Sequence, residues 1–432
     1  MTSTRRYFFC GIGGSGISQS DQILVTSTAV EETVPDVISA RRIGANQTTR
    51  AELLAQLFNA ASHSIGVGGT SGKSTTTGMV GWILDQAGRK PTILNGAVMN
   101  NFITPGMPFA SAVGGDENLF VCEVDESDGS IAHFRPRIAV LNNIAVDHKP
   151  LDELRSLFRG FVDAGETAIL NLDNDETATI ADEIASGKTI TYSLTDRRAD
   201  IFAGDLVPAP DGISFQVKER VSGATSPVNL PVPGRHNIEN ALAALAAAHA
   251  SGIALEQACA LLGSFKGIQR RLEVTGTVNG VTVIDDFAHN PDKIKATLAT
   301  LHEFPGRLLI MFQPHGFGPL RLMKDAFIDC FTHGLDEDDI LLIPEPVYFG
   351  GTVERTITSQ DIVRDVEARG REAYALADRN VCGAKLLELA RPGDRIVVMG
   401  ARDDTLSEFA AQLLSSRLGF EVAGAGDQDF AN

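Results

Sequence analysis

The sequence predicts an α/β protein of more than one domain. Two observations carry this reading. Short apolar, strand-like runs alternate with helical patterns along the chain, and three of those runs end directly in glycine-rich turns. The three are Tyr7–Cys10 into Gly11-Ile-Gly-Gly-Ser-Gly16, Ile65–Val67 into Gly68-Gly-Thr-Ser-Gly-Lys-Ser74, and Arg395–Met399 into Gly400-Ala-Arg-Asp-Asp404. With 432 residues, and roughly 100–200 residues per domain, the length predicts two to four domains.

In chain order, a helix follows the second glycine turn over Ser74–Gln86, with apolar Met79, Val80, Ile83 and Leu84 on one side and a stop near Gly88. Phe120–Cys122 and Ile138–Leu141 read as buried parallel strands. Residues 201–233 alternate in polarity around Asp211-Gly212, which predicts an antiparallel insert. Asn237–His249 is an alanine-rich helix closed by Gly252. Val278–Ile284 reads as a hairpin turning at Asn279-Gly280, and a third α/β unit runs from about residue 263 to the end, with a Gly/Asp-rich tail from Ala423.

Composition narrows the function. Lys and Arg number 37 against 55 Asp and Glu, a formal net charge of −18. This excludes nucleic acid as the main partner, because phosphate backbones need a basic footprint. An anionic substrate must be met by a local site. The apolar runs fall far short of the roughly 18 residues that span a bilayer, so no membrane association is expected. The apolar start is too short for a signal peptide. Cysteines 10, 122, 259, 330 and 382 lack metal-ligand spacing and read as reduced core thiols of a cytoplasmic protein.

Gly69-Thr-Ser-Gly-Lys-Ser74 carries the chemistry. Glycines let backbone N–H groups close on phosphate oxygens, and the helix N-terminus adds positive potential. Lys73 is a point charge for the outer phosphates, and the Ser74 hydroxyl can ligate Mg²⁺. The loop has the form G-T-x-G-K-S, tighter than the GxxxxGK[ST] pattern. Glu123-Val-Asp-Glu-Ser-Asp128 follows the strand Phe120–Cys122, where a Mg²⁺-ligating carboxylate belongs, although an acidic solvated loop has the same composition. His148 closes Asn142-Asn-Ile-Ala-Val-Asp-His148 as a second ligand or a plain loop histidine.

Four segments stand in one order: GTSGKSTTT (69–77), CEVDESDGS (122–130), PGRHNIENALAA (233–244) and RRLEVTGTVNGVTVIDDFAHNP (270–291). Together they resemble the Mur ligase family, over nearly the whole chain, and most closely its alanine-adding branch. The resemblance implies three domains. A truncated Rossmann-like, UDP-binding unit would cover residues 1–58, a central P-loop ATPase 59–262 and a C-terminal Rossmann-like ligase domain 263–432. It implies ATP- and Mg²⁺-dependent joining of L-alanine to UDP-N-acetylmuramate through an acyl phosphate, in peptidoglycan synthesis. A ligase for recycled muropeptides or another acid, and a nucleotide-binding paralogue without ligase activity, stay open beside it.

Carried over by residue, the resemblance implies that Gly69, Thr70, Ser71, Gly72, Lys73, Ser74 and Thr75 bind ATP phosphates. Lys73, Glu123 and His148 would be catalytic, with Ser74, Glu123 and His148 holding metal. Asn237, Asn240, Arg271, Asp285 and His289 would complete the ATP site. Gly11, Gly13 and Gly16 resemble the nucleotide-sugar loop, and His315 and Arg321 a substrate loop. The chain departs from the family mostly in the half that selects the acid. Gly16 stands only about fifty residues before Gly69, as if one or more βα units were absent, and a single arginine, Arg321, follows Gln313-Pro-His315. The phosphate loop departs less, with Ser71 and Ser74 in place of His and Thr. The identity of the joined acid is therefore open.

Overall fold

A computed structural model describes residues 6–9, 16–27, 30–145, 149–184, 187–209, 212–347, 356–401 and 403–417. The chain divides into two compact units. One comprises Met1–Asp205, Phe215–Val228 and His236–Gly263, and the other comprises Leu206–Ser214, Asn229–Arg235 and Ser264–Asn432.

The first unit begins with a three-stranded parallel sheet in the order β1-β2-β3, formed by β1 (Arg6–Phe9), β2 (Gln22–Thr26) and β3 (Asn46–Thr49). Ile17, Leu24, Val37, Ala40 and Ala45 pack as its small core. Thr49 then starts the helix Arg50–Ala60 with a capping box. Its hydroxyl accepts from the Glu52 N–H, and the Glu52 carboxylate accepts from the Thr49 N–H.

The central sheet has ten strands. They are β4 (His63–Gly68), β5 (Pro91–Leu94), β6 (Ala112–Val113), β7 (Asp116–Glu123), β8 (Ile138–Leu141), β9 (Thr167–Asn171), β10 (Thr189–Ser193), β11 (Ile201–Ala209), β12 (Gly212–Glu219) and β13 (Thr225–Leu230). Their order is β13-β12-β11-β10-β9-β8-β4-β7-β5-β6. β4 lies parallel between β7 and β8, so the predicted buried parallel strands are its two neighbours. β11 is parallel to β10, and β11 to β13 continue the sheet rather than standing apart as an insert. One face is covered by Arg50–Ala60, Leu151–Asp163 and Asp175–Glu183, whose Phe58, Phe158, Phe161 and Ile180 share a core with Cys122, Leu141 and Leu170. The helix Lys73–Gln86 and the alanine-rich helix Arg235–Ala250 are themselves largely buried.

The second unit holds a six-stranded sheet. Its strands are β14 (Glu273–Val278), β15 (Val281–Asp286), β16 (Leu308–Gln313), β17 (Ile340–Pro344), β18 (Glu372–Leu376) and β19 (Arg395–Gly400), in the order β14-β15-β19-β16-β17-β18. β14 and β15 form the predicted antiparallel hairpin, and the remaining pairings are parallel. Both faces are covered, and the strand period of two shows why the sequence reads as continuous apolar runs. Leu308, Ile310 and Phe312 pack with helices Pro291–Leu301, Lys324–Gly334 and Ser359–Glu367, whereas Leu309 and Met311 pack with Arg379–Leu389 and Thr405–Arg417.

Cys122, Cys259, Cys330 and Cys382 are free thiols. Burial pushes them all above the ordinary value, Cys259 and Cys382 to about 12 and Cys330 to about 11. No described helix is long and apolar enough to cross a membrane.

Candidate active site

The glycine turn after β4 sits at the carboxyl end of a strand with neighbours on both sides, the position at which an α/β sheet opens a crevice. Gly72 occupies the position before the helix with φ +78°, and a Cβ there would stand 2.2 Å from Asn240 Oδ1. Gly69, at φ +132°, brings the backbone against Asn142 and Asn143. Only glycine meets both demands. At the head of Lys73–Gln86 the first intrahelical bond runs from Thr76 N–H to the Gly72 carbonyl at 2.9 Å. The N–H groups of Lys73, Ser74 and Thr75 precede it and have no carbonyl partner within the helix. They form the donor end that phosphate oxygens favour.

The turn is held by the segment after β8. Thr70 N–H donates to the Asn143 carbonyl (3.0 Å) and Ser71 N–H to Asn143 Oδ1 (2.9 Å). Asn142 Nδ2 donates to Thr76 Oγ1 at 3.0 Å and reaches the Ser71 carbonyl at 3.3 Å. Thr70 Oγ1 accepts from Ala145 N–H and donates to its carbonyl. The asparagines therefore fix the loop without charge. Thr76 Oγ1 also donates to Asn240 Oδ1, and Asn240 Nδ2 donates to Asn237 Oδ1, so both asparagines of the alanine-rich helix stand buried directly behind the loop.

Lys73 Nζ lies 2.7 Å from the Gly69 carbonyl and 2.9 Å from Glu126 Oε2. Both side chains of this ion pair are largely enclosed, at 13% and 5% exposure. Removing one partner of such a buried pair costs about 3–5 kcal/mol, because the other charge is left uncompensated. Asp125 beside it is partly desolvated, but the Ser127 N–H and hydroxyl and the Lys73 charge hold its carboxyl below the ordinary value.

The donor set suits a hard divalent cation. Asn95 Nδ2 donates to the Ser74 carbonyl (2.9 Å), and the next N–H, Gly96, donates to Glu123 Oε2 (2.7 Å). One dipeptide thus draws together the hydroxyl residue and the carboxylate expected to hold Mg²⁺. Asn95 Oδ1 is buried with no partner among the described residues, an orphaned oxygen beside those two.

In the second unit Arg271, His289 and His315 come together around Phe287, and Asp285 is tied to Arg270. The Arg271 guanidinium lies over the Phe287 ring at 4.7 Å, and the rings of His289 and His315 meet edge to face at 5.2 Å. Asp285, 1% exposed, receives Arg270 Nε at 3.3 Å and the Ser407 hydroxyl at 2.6 Å. Burial raises its carboxyl pKa against those partners. Arg270 holds φ +59°, a conformation uncommon for a side-chain-bearing residue. It is anchored there by Glu273, Asp285 and the carbonyls of Gly400 and Asp403. His289 is pushed down to about 4, chiefly by burial, and its Nδ1 meets the Phe287 carbonyl at 2.9 Å. It stands neutral at physiological pH, with Nε2 as an acceptor.

Gly16 N–H donates to the buried Asp36 carboxylate (3.1 Å), near β2, while Gly11 and Gly13 lie outside the described residues, as does His148. Arg321 is exposed on the short helix Phe317–Leu322. Sequence reasoning missed Glu126, Asn95 and the two asparagines after β8. Asn142-Asn143 directly follows the buried strand β8, next to β4 in the sheet, and that placement is the available signal.

Comparison with known proteins accords with this layout. The Mur ligase middle domain matches residues 67–248, and the Mur ligase glutamate ligase domain matches residues 270–402. UDP-N-acetylmuramate–L-alanine ligases from Agrobacterium fabrum and Rhizobium etli are 35% and 34% identical. Each alignment spans 91% of this chain, with 84% and 83% of the respective relatives. Among solved structures, a UDP-N-acetylmuramate–alanine ligase from Thermotoga maritima superposes with a TM-score of 0.71 at 21% identity, covering 91% of this chain and 84% of that one. A murein peptide ligase from Psychrobacter arcticus superposes with 0.62 at 26% identity, over 91% and 85%. The chain belongs to the Mur ligase family and is an ATP-dependent, amide-forming ligase.

Proposed function

We propose that this Mur ligase joins L-alanine to UDP-N-acetylmuramate in the cytoplasm, with Mg²⁺ as the ion that accompanies ATP. The observation that carries the ATP half is the phosphate loop after β4, a strand flanked on both sides, where the Lys73 ammonium stands between the Gly69 carbonyl and Glu126 and the N–H groups of Lys73, Ser74 and Thr75 lack carbonyl partners within the helix. The choice of acid and amine rests on the two alanine ligases that share about a third of their residues with this chain.

A carboxylate is a poor electrophile. Its oxygen attacks the γ-phosphorus of ATP, ADP leaves, and the resulting acyl phosphate carries a good leaving group. The amino group of alanine adds to the carbonyl and loses a proton, the tetrahedral adduct collapses, and inorganic phosphate departs as the amide forms. The protein's part is placement and charge neutralisation. Lys73 and the loop N–H groups hold the phosphates, and the asparagines after β8 keep those donors fixed. Ser74 and Glu123 hold Mg²⁺, which supplies charge neutralisation at the phosphates. Residues 1–58, bearing Gly11, Gly13 and Gly16, take the UDP part of the acid. Arg271, Asp285, His289 and His315 serve ATP and substrate from residues 263–432. Neutral His289 offers a hydrogen-bond acceptor there rather than a charge.

A second reading has its own support. The amino-terminal sheet has three described strands with β1 at its edge, and the fold also superposes on a murein peptide ligase. In that reading the same reaction joins a different acid, such as a recycled muropeptide, to its amine.

The deciding experiment measures phosphate release from Mg·ATP with UDP-N-acetylmuramate, with and without L-alanine, beside a Lys73→Ala control. Release that requires both substrates and is lost in the control supports the alanine ligase. Release only with another acid from a panel of muropeptides moves the reading to the second enzyme. ATP binding with no release for any pair would point to a nucleotide-binding protein without ligase activity.

A further inference from the structure

We infer that Glu126 is a positioning residue that aims the Lys73 ammonium at the nucleotide phosphates and stays bonded to it when they are present. The inference rests on the nucleotide reading of the phosphate loop given above.

An ammonium has three N–H donors and no acceptor. Two of them are committed inside the protein, one to the Gly69 carbonyl at 2.7 Å and one to Glu126 Oε2 at 2.9 Å. The Gly69 contact ties the side chain back over the loop, and Glu126 approaches from the acidic segment after β7. Two fixed partners leave the third N–H with a defined direction. A lysine is otherwise a flexible point charge on four methylenes, so its aim must come from neighbours.

Glu126 is 4% exposed, and among the described residues Lys73 is the cation that pairs with its carboxylate. Were Lys73 to leave for the phosphates, that buried anion would lose its counter-charge, which proteins rarely tolerate. Retention of the pair satisfies both groups, with the third N–H turned to a phosphate oxygen. Glu126 and Glu123 then divide the acidic segment between them. Glu123 is held by the Gly96 N–H on the metal side, and Glu126 is held on the lysine.

Two effects of the Glu126 charge oppose each other, which makes the inference testable. As an aiming residue it strengthens phosphate binding, whereas as a bare anion near the phosphates it weakens binding. The experiment compares the full chain with Glu126→Ala and Glu126→Gln by two readouts. The first is acetylation of Lys73 by an amine-reactive reagent without nucleotide, followed by mass spectrometry of the peptide. The second is the dissociation constant for Mg·ATP, with thermal unfolding as the check on folding.

Glu126→Ala is expected to speed Lys73 acetylation about 10-fold, as the ammonium loses one of the two partners that hold it inside the protein and reaches the reagent more freely. The same variant is expected to weaken Mg·ATP binding about 10-fold, with Glu126→Gln recovering most of that loss because its amide oxygen still accepts. Unchanged acetylation, or Mg·ATP binding as tight as or tighter than in the unaltered chain, would overturn the inference. Should Glu126→Ala not fold, Glu126→Asp replaces it, since a shorter carboxylate keeps the charge and moves the acceptor. It is then expected to bind Mg·ATP more weakly than Glu126→Gln, and the reverse order would overturn the inference. If the unaltered chain does not bind Mg·ATP, the nucleotide reading fails, and the acetylation comparison alone decides whether Glu126 fixes Lys73.

Discussion

The two glycine-rich segments of the first unit come after parallel strands in the chain, yet those strands differ in what surrounds them. The turn after β4 has β7 on one side and β8 on the other, and both neighbours send residues back to it: Glu126 from beyond β7, Asn142 and Asn143 from beyond β8. β1, which precedes Gly11 to Gly16, pairs with β2 alone among the described residues, and β3 lies beyond β2. A glycine pattern supplies backbone freedom, but a binding crevice also needs a strand on each side. Among the described residues the phosphate loop therefore has a complete frame and β1 a narrower one, and the choice of acid is where we propose that this chain diverges from its relatives.

The largest expected effect tests the complete frame directly. Lys73→Ala should lower ATP-dependent phosphate release about 10²–10³-fold, the scale of losing one charge-stabilising donor. Release at the unaltered rate would break the comparison at its stronger end. Next come paired glycine variants. Gly72→Ala places a Cβ 2.2 Å from Asn240 Oδ1 at φ +78° and should weaken Mg·ATP binding by about 10-fold or more. Gly13→Ala should leave Mg·ATP binding within about 2-fold and act, if at all, on KM for the acid. Equal losses of nucleotide affinity in both variants would show that the two turns serve one ligand.

A smaller effect is expected at Asn143. Asn143→Ala removes the acceptor of the Ser71 N–H, an exposed hydrogen bond worth about 0.5–1.5 kcal/mol. A fall in the denaturant midpoint together with weaker Mg·ATP binding would support the clasp, and unchanged values for both would remove it.

A further effect belongs to the second unit and sharpens the contrast with the uncharged clasp of the first. His289 has its folded pKa depressed to about 4, chiefly by burial, below the ordinary histidine value of about 6.5. The unfolded chain therefore binds a proton there that the folded chain does not, and stability falls as the pH drops from about 6.5 towards about 4. Below that the contribution levels off. His289→Asn should flatten this part of the stability–pH curve, which thermal melts across pH 4–8 would read. A curve of the same slope in the variant would assign the acid sensitivity elsewhere.

The legible parts of the sequence were those governed by local rules. Periodicity placed the helix after Lys73 and the alanine-rich helix, and Asn279-Gly280 marked the hairpin between β14 and β15. The side-chain pairings were not legible, because they join distant positions. Glu126 is 53 residues from Lys73, and Asn143 is 72 from Ser71. Within Glu123-Val-Asp-Glu-Ser-Asp128, four acids look alike in sequence, and only the direction of the chain beyond β7 decides that Glu126 turns to the lysine. In Arg270-Arg271 the same ambiguity arises. The left-handed backbone at Arg270 buries that residue against Asp285 and leaves Arg271 over Phe287.

The buried thiols have a practical consequence for kinetics. Cys122 lies fully buried at the end of β7 in the first unit, and Cys382 lies fully buried on the helix Arg379–Leu389 in the second. A thiol held in its protonated form and out of contact with solvent reacts with a disulfide or maleimide reagent only when its surroundings open. Labelling of these two cysteines, followed peptide by peptide over time, reports the opening rate of each unit separately in a single native sample.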